Sequence, residues 1–172
     1  MIDLIEKVEN WAKSKGIDQA KSHYPQTCTI LQEIAEFETE VPSEKPIEYG
    51  DILVTLIIFA QQQHLDFYTS FSLAQDRYKT LSAGALPGLT RDPVKGAMIN
   101  LGHLSDAMTK QDKQKIIKYF HALCFDVVSV LHWQSKWMGG TTPRDCLRLA
   151  HTKISKRKGK KINGRFVKES DL

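Results

Sequence analysis

The sequence predicts an all-α protein, a helix bundle of about seven helices laid out as two tandem halves, and three observations predict it. Apolar residues recur at three- and four-residue spacing in one segment after another. Gly, Pro and Asp breakers separate the segments, and strand-like alternation occurs only in the tail. At 172 residues and 41% hydrophobic content, the chain can bury a core as one domain or two small halves. The halves are expected at 1–82 and 93–172, with a linker at 83–92.

Asp3 is placed to cap a first helix in which Ile5, Val8 and Ala12 form a stripe, with Trp11 beside it, and Gly16 ends it. A second helix is expected over Thr27–Thr39 and a third over Pro46–His64, with Pro42 and Pro46 breaking the periodicity between them. Asp66 then caps a fourth, Phe67–Leu81. After the linker, Asp92-Pro93 opens a fifth helix that runs to Met108. Thr109 to Asp112 opens a sixth, in which Ile116, Ile117, Phe120, Leu123, Val127, Val130 and Leu131 keep helical spacing up to Gly139-Gly140. Thr142-Pro143 starts a seventh that runs to Lys158, and KKINGRFV carries an Asn163-Gly164 turn signal for a small hairpin.

The start MIDLIEKVENW lacks a basic region followed by an apolar one, and no run of 18 apolar residues occurs. A cytoplasmic protein without a membrane partner is therefore expected. Cys28, Cys124 and Cys146 are odd in number and fall in or near helical segments, which suits reduced, space-filling thiols. Charge is segregated: residues 1–52 carry 5 Lys/Arg against 11 Asp/Glu, and residues 144–172 carry 10 against 3. An acidic front and a basic back can neutralise each other across a site, or the tail can bind nucleic acid.

Two acidic pairs stand out. Glu33 with Glu36 and Glu48 with Asp51 are each three apart, so each pair shares a helix face. About two such pairs are expected by chance among 20 acidic residues. Asp3–Glu6 and Glu6–Glu9 look like an ordinary solvated face, whereas the central pairs are set among apolar residues. If the second and third helices are antiparallel neighbours, all four carboxylates can meet. Desolvated carboxylates repel unless a cation compensates, and hard oxygen donors suit Mg²⁺ or Mn²⁺. Spacing alone leaves two readings, a divalent-metal site and a surface acidic patch.

Other constellations are less pointed. Lys153 and Arg157 lie four apart on the last helix and share a face, which equally suits a basic helix end complementing its own dipole. Trp11, Trp133 and Trp137 suit a core or interface, and Trp11 is the candidate to cover a nucleobase. No Glu-x-x-His, zinc-type Cys/His spacing, phosphate loop or Gly-x-Ser-x-Gly is present. The halves carry a faint internal similarity. Glu33–Glu36 aligns with His103–Asp106, Tyr49–Val54 with Cys124–Ser129, and Ser72–Gln75 with Arg148–His151. In the second copy the acid positions are altered, so it should not build a second full metal site.

The motif Glu33-x-x-Glu36, eleven intervening residues and Glu48-x-x-Asp51 opening an apolar helix resembles the MazG-like branch of the all-α NTP pyrophosphohydrolases, which also includes dimeric dUTPases. The resemblance covers residues 1–64 and returns over 144–172. It departs at Gln32, where the family motif begins with two adjacent acids. It implies two tandem MazG-like halves forming a pseudo-dimer. The implied reaction is Mg²⁺-dependent hydrolysis of an NTP or dNTP to the monophosphate and pyrophosphate. In that reading Glu33, Glu36, Glu48 and Asp51 hold the metal, Glu36 takes a proton from water, and Lys153 and Arg157 meet the triphosphate. A homodimer is compatible with it, and nucleic acid is not the expected partner. The alternative is a non-catalytic helical module that binds nucleotide or nucleic acid.

Overall fold

Twelve consecutive residues, Tyr49 to Ala60, are buried on one helix, α3 (Lys45–Gln62), and a helix apolar on every side needs neighbours on every side. Three others pack on it: α1 (Ile2–Ser14), α2 (Tyr24–Thr39) and α7 (Pro143–Ser155). Each Leu, Ile or Phe that α3 buries fully contributes ~1.5–3 kcal/mol of transfer free energy. The remaining helices are α4 (Phe67–Ala83), α5 (Pro93–Thr109) and α6 (Lys113–Trp133), so seven helices occur among the described residues. This computed structural model describes residues 1–19, 22–83, 92–134, 139–162 and 165–169. The Asn163-Gly164 turn, Trp137 and most of the expected linker lie outside them. A two-stranded antiparallel hairpin, β1 (Gly159–Ile162) with β2 (Arg165–Lys168), follows α7 with Ile162 opposite Arg165.

The packing divides the chain elsewhere than at the expected halves 1–82 and 93–172. One compact unit comprises Met1–Leu65 with Trp137–Leu172, and the other comprises Asp66–Lys136. Thus α7 packs on α3, and α4 packs on α6. Where the internal similarity aligns α4 with α7, each unit takes its third helix from the other half of the chain. The acidic front and basic back of the sequence lead us to expect the last helix beside the first half, and α7 lies there; the placement of α4 on α6 carries no such signal, because its apolar face suits either cover.

Helix ends follow local chemistry. Asp92 accepts from the backbone N–H groups of Val94 and Lys95, Asp112 from Lys115, and Asp66 from Thr69, satisfying first-turn donors. Thr142 and Asp145 form a reciprocal capping box on α7. Gly16, at φ +66°, terminates α1 as expected. Asp3 lies inside the first turn of α1 instead of capping it, and accepts from Arg144 at 3.2 Å. Helix α2 begins at Tyr24, ahead of the expected Thr27, because Pro25 sits in the first turn, where its missing N–H costs nothing. Helix α6 stops at Trp133, before Gly139-Gly140.

Gly50 sets the closest approach in the first unit. A Cβ there would strike the Cys146 carbonyl oxygen and come within 2.8 Å of the Ala150 Cβ. The α7 face that meets α3 therefore runs Cys146, Ala150 and one turn onward to Lys153, and Arg157 follows two residues beyond the end of the helix. Lys45 fixes α2 against α3. It is buried, donates to the Phe37 carbonyl at 2.6 Å near the C-terminus of α2, and lies 4.5 Å from the Phe37 ring centroid.

In the second unit, α6 buries Phe120, Leu123, Cys124, Val127, Val128 and Leu131 beneath α4 and α5. By length and composition α6 could cross a membrane, yet this apolar face is the core of its unit. Of the thiols, Cys124 and Cys146 are buried fillers and burial pushes both up, Cys146 to about 12; Cys28 is exposed, against expectation. Trp133 is also no core residue, being 60% exposed.

Candidate functional site

Two helices bring the acids together. Glu33 and Glu36 project from the middle of α2, Glu48 and Asp51 from the first turns of α3, and the Lys45–Phe37 bond holds these segments side by side. One carboxylate oxygen each from Glu33, Glu36 and Glu48 lie within 4.8 Å of one another. Gln32 donates to Glu36 at 2.8 Å and restrains it, so the residue standing where the resembling family has an acid steadies its neighbour.

Asp51 is the deepest member, its side chain 6% exposed, and a carboxylate taken that far from water needs a partner. Lys153 supplies it, its Nζ 2.6 Å from Asp51 Oδ2 and 3.5 Å from Glu48 Oε1. Arg157 lies just past the end of α7, which stops at Ser155 instead of the expected Lys158, so it shares no helix face with Lys153, yet it still comes 3.9 Å from the same Asp51 oxygen. The close approach permitted by Gly50 is what lets Lys153 of α7, and Arg157 just beyond it, reach acids of α3. All six residues thus converge on one end of one unit.

The cations do not fully offset the acids. Burial, then the charges of Asp51, Glu36 and Glu48, raise Glu33 to about 7, with Arg157 pulling the other way. Burial also raises Glu48, against the opposing charge of Lys153. Burial pulls Lys153 down, but its hydrogen bond and charge contacts with Asp51 and Glu48 outweigh that, and its proton is held more tightly than usual. The arrangement is a partly dry acidic cluster whose negative charge exceeds its local compensation.

Trp11 does not join it. The neighbouring Glu9 carbonyl accepts from Gln61, and the Ile17 carbonyl accepts from Gln62 at 2.6 Å, so this stretch of α1 and the residues after it lie at the C-terminal end of α3. Gln61 is ten residues beyond Asp51, which at ~1.5 Å rise per residue is ~15 Å along the axis.

Two residues that shape the site went unread in the sequence, Lys45 and Gly50, and Gln32 reads there only as a departure from the family motif, without its bond to Glu36. Gly50 carried a signal, because an isolated glycine within an apolar helix usually has a packing reason. Lys45 carried none, since a lysine beside a turn is normally solvated. Comparison of the chain with protein-family models, curated proteins and solved structures found no match.

Proposed function

We propose that the chain is a Mg²⁺-dependent nucleoside triphosphate pyrophosphohydrolase of the MazG-like kind, cleaving an NTP or dNTP to the monophosphate and pyrophosphate. The observation that carries this reading is the convergence of Glu33, Glu36, Glu48 and Asp51 with Lys153 and Arg157. A donor set made only of carboxylate oxygens fits a hard cation, Mg²⁺ or Mn²⁺. The raised proton affinity of Glu33 and Glu48 fits it too, because it marks acids that lack sufficient positive charge.

Glu33, Glu36 and Glu48 would hold the ion, with Asp51 as a further ligand. When bound, Mg²⁺ supplies Lewis-acid charge neutralisation and a lowered water pKa. Lys153 and Arg157, turned from Asp51, would donate charge-assisted hydrogen bonds to triphosphate oxygens and offset charge on the departing pyrophosphate. The resemblance assigns these cations to the triphosphate, and the charge segregation of the sequence allows them to neutralise the acidic front as well. Their contacts with Asp51 and Glu48 support that second role, neutralising the acids before ligands arrive. Glu36, the exposed member held by Gln32, would accept the proton of water attacking the α phosphorus.

The test is incubation with a panel of NTPs and dNTPs in Mg²⁺, with pyrophosphate as the readout. Release is expected from at least one nucleotide, abolished by EDTA and lowered ~100-fold or more by Asp51→Asn, as for loss of other charge-stabilising groups. Absence of pyrophosphate from every nucleotide, or full activity in Asp51→Asn, would overturn the proposal.

A further inference from the structure

The second unit contains a cavity that the proposed chemistry does not use. It has a volume of about 530 Å³ and is lined by residues of α4, α5 and α6. That volume lies within the ~300–1,000 Å³ typical of small-molecule sites. Part of the lining is already committed within the unit. Asp126 accepts from the Asn100 side-chain amide at 2.6 Å, and its carboxyl group fills the space left by Gly96 of α5, where a Cβ would meet it at 2.7–2.9 Å. The Ser129 hydroxyl donates to the Phe125 carbonyl at 2.8 Å.

What remains of the lining is aromatic, with one cation. Tyr78 and His132 are stacked 4.1 Å apart at 6°, forming a flat plate. Burial lowers the proton affinity of His132 and favours its uncharged ring, so the plate adds no second positive charge. Trp133 lines the same cavity and is 60% exposed, a large ring surface that the chain itself leaves uncovered. Arg77 is exposed and forms no ion pair with any described residue. It lies over the Phe125 ring, 4.8 Å from the centroid, which steadies the guanidinium without neutralising it.

We propose that this cavity binds an aromatic acid, a planar ring system bearing a carboxylate, without the help of a metal ion. The Tyr78–His132 plate and Trp133 take the ring by offset or edge-on stacking. Arg77 takes the carboxylate through paired charge-assisted hydrogen bonds, for which a planar guanidinium is shaped and a neutral or aliphatic ligand has no equivalent. Asp126 has no part in recognition, being occupied within the unit. The site differs from the acidic cluster in unit, in residues and in its independence of metal, and it does not rest on the pyrophosphohydrolase reading.

The experiment is calorimetric titration of the full chain in EDTA with 2-naphthoate, its uncharged analogue 2-naphthamide and the non-aromatic cyclohexanecarboxylate. 2-Naphthoate should bind at one site per chain and at least ~10-fold tighter than either analogue, the difference expected of a hydrogen bond to a charged group. Arg77→Gln should bring 2-naphthoate down to the affinity of 2-naphthamide, and Trp133→Leu should weaken both. Both side chains are exposed, so the variants should melt with the parent, and the comparison of the three ligands on the parent needs neither of them. Asp51→Asn should change nothing. No binding at millimolar 2-naphthoate, equal affinity for either analogue, an Arg77→Gln variant that keeps the preference for the charged ligand, a Trp133→Leu variant that binds as the parent does, or loss of binding in Asp51→Asn would each overturn the proposal.

Discussion

Glu33→Gln should stabilise the metal-free protein, and only at neutral and alkaline pH. The substitution preserves shape and removes a charge that burial and three neighbouring carboxylates oppose. In the folded chain Glu33 titrates at about 7, against 4.5 for an unstrained glutamate. Between those values the folded protein holds a proton that the unfolded chain has released, so stability falls as pH rises through the window. A shift of that size corresponds to ~3 kcal/mol at pH 8, where the cost is fully present, and to under ~1 kcal/mol at pH 5. Urea denaturation in EDTA at the two pH values, comparing variant with parent, isolates the term. Glu48 is present in both proteins, and Lys153 titrates above its ordinary 10.5, outside the window. The variant should gain ~3 kcal/mol at pH 8 and little at pH 5, and saturating Mg²⁺ should shrink or reverse the gain by stabilising the parent preferentially. Parallel curves for variant and parent across pH would refute the reasoning, because they would mean that Glu33 is solvated.

Lys153→Ala should separate the two roles proposed for that lysine. Removing an internal competitor for Asp51 should raise Mg²⁺ affinity on the order of tenfold, while the loss of a donor to the leaving group lowers turnover by ~2–4 kcal/mol of transition-state stabilisation, read by calorimetry and by pyrophosphate release. Gly50→Ala should cost ~1–3 kcal/mol and weaken activity by prising α7 from α3, whereas Gly102→Ala, with nothing within 4 Å of the added Cβ, should gain ~0.5–1 kcal/mol. Thermal melts of both variants check the contrast. Lys45→Met should destabilise by ~1.5–3 kcal/mol through the unpartnered Phe37 carbonyl, measured by denaturant titration.

Most of the helices and the acidic half of the site are local properties, and the sequence by itself determined them. Asp66, Asp92, Asp112 and Thr142 announce helix starts because a cap acts within three residues of itself. The unbroken apolar run of α3 announces a helix surrounded by others, and Glu33, Glu36, Glu48 and Asp51 declare their shared faces through 3.6-residue periodicity. Tertiary packing decided the partners. The segregated charge points to the last helix joining the acids, but that α4 lies on α6, that Lys153 bonds Asp51 and Glu48 in particular, and that Trp11 falls at the far end of α3 all depend on which apolar face meets which. Burial is non-directional, so an amphipathic helix specifies that its stripe must be covered without specifying the cover. Steric fit resolves the choice, and here it rests on Gly50, where only a missing side chain lets one backbone come near enough to another for two cations to reach the acids.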